Sequence, residues 1–375
     1  MRAEVRGRLM RYFEAVRAQG KNLRSSRAAV ADQLEGMDLE PWRGCRLGLV
    51  GMGASANAIG TVAGGYRAAG LRATAWLGSE LGSAGFQGPA GAAGSFDAVI
   101  AVSQSGKSAE IVAALEGPVS GYPKLVITDG PESPAARLAD ADLALALLED
   151  SNVRTVGYTG TLQALVLLRD VLAGAGGTPA PGGASATDVT AVAGGVPGTD
   201  WDWLADEVDR QLPAAERLAA ELLDALREVG SFDLVGSGGQ AGTAAQGALL
   251  LREVAKRPAA AYETYQYLHG PIEAAGPGLG LLLIGGAREA RLAASLAGTG
   301  TTTVLITGMD DAALAGAGLG SESTGPTVFR VPAADDVALS MLGILPLQTI
   351  SGVLADAAGL PDGEFRFHQD DTNVG

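Results

Sequence analysis

The second half of this chain repeats the first. SFDLVGSGGQAGTAAQGALLL (231–251) parallels GCRLGLVGMGASANAIGTVAG (44–64), LGLLLIGGAREARLAASL (279–296) parallels DAVIAVSQSGKSAEIVAAL (97–115), and TTVLITGM (302–309) parallels PKLVITDG (123–130). The offset is roughly 180–185 residues, the length of a whole duplicated domain. Each copy uses the same unit, an apolar run, a glycine turn and then helical spacing. RLGLVGMG (46–53) reads as a buried strand and Ser55 to Ala69 as the helix that follows it. FDAVIAVSQSG (96–106) and PKLVITDG repeat the pattern, each with a predicted helix behind it. Strands alternating with helices run parallel, and a parallel sheet must be covered on both faces. The expected fold is therefore α/β, two tandem domains, each a parallel sheet with helices on both sides. The first spans 1–178, with helical spacing over about 1–36. A Gly/Ala/Pro-rich linker at 179–199 follows. The second domain spans 200–375 and opens on a helix from near Asp200 to Arg227.

Charge narrows the partners. Acidic residues number 42 against 27 basic ones, for a formal charge of −15. Such a surface repels nucleic acid and anionic lipid. Neither is an expected partner. Cys45 is the only cysteine and His269 and His368 the only histidines, so a disulfide framework, a thiolate metal site and a three-histidine metal site are excluded. No metal and no cofactor are expected. The N-terminus has no apolar signal core and no window reads as a membrane span, so the expectation is a soluble, cytoplasmic protein.

An anionic ligand is still admitted locally. Ser103-Gln104-Ser105-Gly106-Lys107-Ser108 follows an apolar strand and opens a helix. Helix N-termini leave N–H groups unpaired and carry partial positive charge, and hydroxyls and an amide add donors. A single serine would suffice to cap a helix; this loop holds three hydroxyls and a glutamine around one glycine. Gly106-Lys107-Ser108 also echoes a nucleotide-binding P-loop, but the glycine required five residues earlier is Ala101, inside the strand. Aligned by sequence, Ser103 and Ser105 face Ile284 and Gly286 in the second copy, so one phosphate site per chain is expected.

Three stretches carry a family resemblance: GMGAS (51–55), VSQSGKSAEI (102–111) and ALLLREVAKRPAAAYETYQYLHGP (248–271). They resemble the SIS (sugar isomerase) family, and in particular the isomerase half of glucosamine-6-phosphate synthase with its stand-alone phosphosugar isomerases and deaminases. The resemblance extends to about Leu360. It implies two flavodoxin-like SIS domains, a sugar phosphate held by Ser55, Ser103, Gln104, Ser105 and Ser108, and further substrate contacts at Val153 and Thr155 in SNVRTVGYTGTLQAL (151–165). It further implies that Glu253 moves the proton between C1 and C2. His269, sixteen residues on, would help open the sugar ring from across a subunit interface, which makes the expected assembly a homodimer. The chain departs from the family in its tail, PDGEFRFHQDDTNVG (361–375), which lacks the synthase's lysine, and at Gly157, which stands where a lysine is common. Imine chemistry is thereby disfavoured.

Aldose–ketose isomerisation needs a base beside a carbonyl and an acid or hydrogen bond at the developing enediolate. Taken alone, Glu253 on a helix would be an ordinary solvated acid; the resemblance, matched at the sixteen-residue spacing to His269, implies that it is the base. Three readings follow: an isomerase of a phosphosugar, amino sugars included; a deaminase of a 2-amino-2-deoxy-sugar phosphate; and a sugar-phosphate-binding protein without chemistry. The missing lysine favours the first.

Overall fold

The computed structural model describes residues 10–81, 95–174, 199–320, 325–333, 335–367 and 371–374. Of the expected linker only Thr199 falls within them, and His368 lies outside them as well. Among the described residues, ten strands form two five-stranded sheets. The first contains β1 (Arg46–Gly51), β2 (Arg72–Leu77), β3 (Ala98–Val102), β4 (Lys124–Thr128) and β5 (Ala141–Ala144) in the order β2-β1-β3-β4-β5. The second contains β6 (Ser231–Gly236), β7 (Ala259–Glu263), β8 (Leu279–Ile284), β9 (Thr302–Thr307) and β10 (Thr327–Arg330) in the matching order β7-β6-β8-β9-β10. Every pairing is parallel. This is the flavodoxin-like arrangement, in which ligands settle at the carboxyl ends of the strands where the order reverses. Central strands β3, β4 and β8 are buried along their whole length, as strands covered on both faces must be.

The two sheets share helices between them. The first long helix, Tyr12–Gly36, packs on Val156–Ala173 from the first half and on Trp201–Arg227 from the second. Helix Gly53–Ala68 lies on Gly239–Glu253, so one apolar core runs from Leu47 in β1 to Ile306 in β9. That last contact requires glycine, since a Cβ at Gly242 would sit 2.3 Å from the Thr61 amide nitrogen. Buried polar groups in this layer pair reciprocally: Gln19 Nε2 donates to Gln348 Oε1 at 2.8 Å and Gln348 Nε2 to Gln19 Oε1 at 3.1 Å.

Three expectations need correction. Helix Asp336–Ala357 has the length and composition of a membrane span (mean hydropathy 1.8), although no such window was expected. It lies 83% buried inside the protein, against Trp201–Arg227 and Gly239–Glu253, and is a core helix. Behind β4 the expected helix is only a 3-10 turn, Ala136–Leu138; the Asp140 carboxylate accepts from the Lys124 amide and leads the chain straight into β5. The alignment of the two loops also shifts by one. Strand register sets Val102 beside Gly51 and Ile284 beside Gly236, so the equivalent of Ser103 is Gly285. Their amides make the same bond, Ser103 to Ile127 O and Gly285 to Ile306 O.

Candidate active site

The loop between β3 and helix Ala109–Glu116 is held by its own polar groups. Ser103 is buried, and its Oγ lies 3.1 Å from Ser108 Oγ. The Lys107 amide donates to Ser105 Oγ at 3.3 Å. Gly106 turns the chain at φ +63°, and a Cβ there would overlap the Ser133 hydroxyl, so both its backbone angle and its surroundings demand glycine. The Gln104 carbonyl accepts from the Asp129 amide and the Thr128 hydroxyl, which fixes the loop against the end of β4. The Gln104 amide group lies against Gly157, where a Cβ would come within 2.3 Å of Oε1. Gly157 is thus matched to Gln104, a reason for a small residue there that the sequence did not reveal. Ser55 stands half-buried in the first turn of helix Gly53–Ala68, after β1. It therefore shares the carboxyl edge of the sheet with the loop.

Glu253 arrives at this edge from the other half of the chain. Helices Gly53–Ala68 and Gly239–Glu253 run antiparallel: Asn57 Nδ2 donates to Gln246 Oε1 at 3.1 Å, while Thr61, four residues on, lies against Gly242, four residues back. The start of one helix, with Ser55, is therefore beside the end of the other, with Glu253. Burial is the main cause that pushes the Glu253 carboxyl up to about 7, and the charges of Lys256 and Arg154 hold it back. A carboxyl poised near neutrality has the acidity that proton transfer at neutral pH requires.

Arg154 belongs to the segment that also carries Val153 and Thr155. Both of these are buried. The Val153 carbonyl accepts from Ser151 Oγ at 2.5 Å, and Thr155 Oγ1 donates to Asp150 Oδ1 at 2.9 Å. Asp150 also takes the amides of Ser151 and Gly157, each at 2.8 Å, and so organises the whole turn into helix Val156–Ala173. Sequence reasoning passed over Asp150; its place just ahead of a helix, in Asp150-Ser151-Asn152, is the signal that could have found it.

The structure brings Ser55, the 103–108 loop, the 150–157 turn and Glu253 to one edge, but not His269. Glu253 ends its helix at the amino end of the second sheet. His269 follows β7 and the short helix Thr264–Leu268 at the carboxyl end, exposed. Strand β7 alone separates them by roughly 15 Å. Within one chain these two side chains do not meet.

The second sheet's counterpart of the loop is closed. Glu289, 1% exposed, accepts from the Gly286 amide at 2.9 Å and from the Thr264 hydroxyl at 2.5 Å. The chain's own carboxylate thus occupies that helix start. Two surface clefts, of about 440 and 650 Å³, lie elsewhere and contain none of the residues named above; the first is crossed by the Arg11–Asp362 and Arg17–Glu216 ion pairs. Among the described residues no group of three or more His, Cys, Asp or Glu side chains is placed to hold a metal ion.

No protein-family model and no curated protein matches this sequence. Solved structures do match the fold. The C-terminal domain of glucosamine-fructose-6-phosphate aminotransferase from Francisella tularensis aligns with 96% of this chain and 100% of its own, at 17% identity and a TM-score of 0.70. Glucosamine-6-phosphate deaminase from Thermotoga maritima aligns over 96% and 98%, at 18% identity and a TM-score of 0.72. Tagatose-6-phosphate ketose/aldose isomerase from Escherichia coli aligns over 96% and 97%, at 18% identity and 0.68. At such identities the likeness establishes a shared architecture of two parallel five-stranded sheets.

Proposed function

We propose that this chain is a phosphosugar aldose–ketose isomerase of the SIS class, built from two tandem domains that divide near residues 179–199. The observation that carries the reading is the antiparallel contact that sets the end of the Glu253 helix, from the second half, beside the Ser55 helix start of the first. The loop supplies what a phosphate needs: hydroxyls of Ser103, Ser105 and Ser108, the Gln104 amide and the Ser55 helix start. With the phosphate held there, the reacting carbons extend toward Glu253, whose carboxylate removes the proton from one carbon and returns it to its neighbour. In this reading Val153 and Thr155 act through the backbone and through shape, because the Thr155 hydroxyl already serves Asp150. The phosphosugar enzymes that share the architecture support the substrate class.

His269 enters the reading from a second copy. Its exposure, and its place a strand's length from its own Glu253, fit a homodimer in which it completes the partner's site and helps open the sugar ring. Tyr265 beside it is 50% exposed, an apolar surface that such an interface would cover. A cytoplasmic location belongs to the same reading.

The test is direct. Fructose, glucose and mannose 6-phosphates, and separately glucosamine 6-phosphate, are incubated with the protein and the products analysed. Ketose–aldose interconversion is the expected result. Ammonia release from glucosamine 6-phosphate would replace the isomerase by a deaminase, and tight binding with no turnover of any sugar would leave a binding protein.

A further inference from the structure

Lys256 follows Glu253 by three residues and sits in a left-handed backbone conformation, φ +54°. Glycine, or failing that asparagine, fits that conformation with less strain. A lysine at such a position calls for contacts of its side chain that offset the strain. Its Nζ turns back and donates to the Glu253 carbonyl at 2.5 Å, one of the carbonyls left open at the end of the helix. The same Nζ donates to the Glu364 carbonyl at 2.6 Å and lies 5.8 Å from the centre of the Phe365 ring. One ammonium therefore joins the end of the Glu253 helix to the C-terminal tail.

The tail is fastened a second time, on the other half of the molecule. The Ala109 amide donates to the Thr372 carbonyl at 3.1 Å, the Val374 amide donates to the Lys107 carbonyl at 2.9 Å, and Asn373 bridges Ser108. These partners, Lys107, Ser108 and Ala109, are the end of the serine-rich loop and the first residue of the helix it opens. Tail residues on either side of 368–370 are thus tied to the two parts of the candidate site, Glu253 and the loop.

We propose that Lys256 is a positioning residue, a clasp that fixes the tail beside Glu253 and sets the surroundings of that carboxylate. The inference rests on the isomerase reading for its catalytic consequence, but not for the clasp itself. The charges that face Glu253 are few. Arg154 comes from the 150–157 turn and Lys256 from its own helix end, while Tyr12 feels the Glu253 charge from the first helix. Arg366 and Glu364 act on Lys256 from the tail.

The experiment compares the full chain with Lys256→Gly, Lys256→Asn and Lys256→Arg. Both Gly and Asn suit the backbone, so the fold is kept while the clasp is lost; Arg retains a cation long enough to reach. Amide hydrogen exchange at 364–367 and 371–374 is read first and needs no substrate. Exchange is expected to rise on the order of tenfold in the Gly and Asn variants and to be largely restored in Arg. Activity on the sugar phosphates is read second. The acid limb of the kcat/KM profile is expected to move up by about 0.5 pH unit in Gly and Asn, because a cation near Glu253 is gone, and to return with Arg. Unchanged tail exchange in both Gly and Asn variants would overturn the clasp. Loosened tail exchange with an unmoved pH profile would overturn its effect on Glu253. Absence of all turnover in the unmodified chain would overturn the isomerase reading and leave the exchange result to judge the clasp.

Discussion

The loop after β3 and the turn after β8 stand at the same place in two sheets of the same strand order, yet their helix starts are satisfied differently. The first runs over six residues, 103–108, before its helix begins; the second has two, Gly285 and Gly286. Six residues give room for hydroxyls to be displayed around Gly106. Two residues bring the helix close enough for Glu289, in its first turn, to reach back to the Gly286 amide. A helix start is attractive to any anion. In the second copy that attraction is met by the Glu289 carboxylate; in the first, the loop hydroxyls stand there together with the Thr372 carbonyl of the tail, which accepts from the Ala109 amide. The repeat places two helix starts at equivalent positions, and loop length separates the one held by Glu289 from the one that displays hydroxyls.

The largest expected effect tests what the open loop is for. Glu253→Gln should lower kcat by ~10²–10⁴-fold while phosphosugar binding, followed by thermal shift, persists; full activity in this variant would remove Glu253 from the mechanism. Next, the double variant Ser103→Ala, Ser105→Ala should weaken phosphosugar binding by on the order of 10–100-fold, the worth of one or two hydrogen bonds to a charged group. Glu289→Ala should leave the binding stoichiometry at one sugar phosphate per chain; a second site by calorimetry would mean that the carboxylate alone, and not loop length, closes the second copy. The same variant should cost about 1–3 kcal/mol in urea unfolding, because the half-buried Gly286 amide and the buried Thr264 hydroxyl lose their acceptor.

The smallest effect is on pH dependence. Glu253 ionises near 7 in the folded protein and near the ordinary carboxylate value when unfolded. Between those values the folded state holds the extra proton. The stabilisation is full below about 4.5 and is lost as pH rises through about 7. Unfolding midpoints of the unmodified chain and Glu253→Gln should therefore diverge from pH 5 to pH 8, the unmodified chain losing up to roughly 2 kcal/mol relative to the variant. Parallel midpoints would mean that the carboxyl is not held protonated.

Much of the fold was legible because its strands are buried. β3, β4 and β8 are unbroken apolar runs ending in polar or glycine turns, and nothing else fits such a pattern in alternation with helices. Edge strands were not legible. β2, Arg72–Leu77, has only Ala73 buried, and β5 and β10 are four residues each; their strand character comes from the neighbour that pairs with them. The alignment of Ser103 with Ile284 erred by one residue for a related reason. Residue similarity cannot register two loops of different length, whereas hydrogen bonds from Ser103 and Gly285 to equivalent strands can. At the site, the loop was legible as a local run of donors. Asp150, the match of Gln104 to Gly157, and the Lys256 contacts to the tail were not, since each joins residues distant in sequence or committed to a turn.

What the sequence by itself determined is the repeated α/β unit and the single hydroxyl-rich loop, because both depend on residues close together in the chain. Only the tertiary structure decided that the end of the Glu253 helix lies beside the Ser55 helix start, while His269 stands at the far end of β7. The antiparallel contact of Gly53–Ala68 with Gly239–Glu253, permitted by the lack of a side chain at Gly242, carries the end of one helix to the start of the other. The length of β7 carries His269 away.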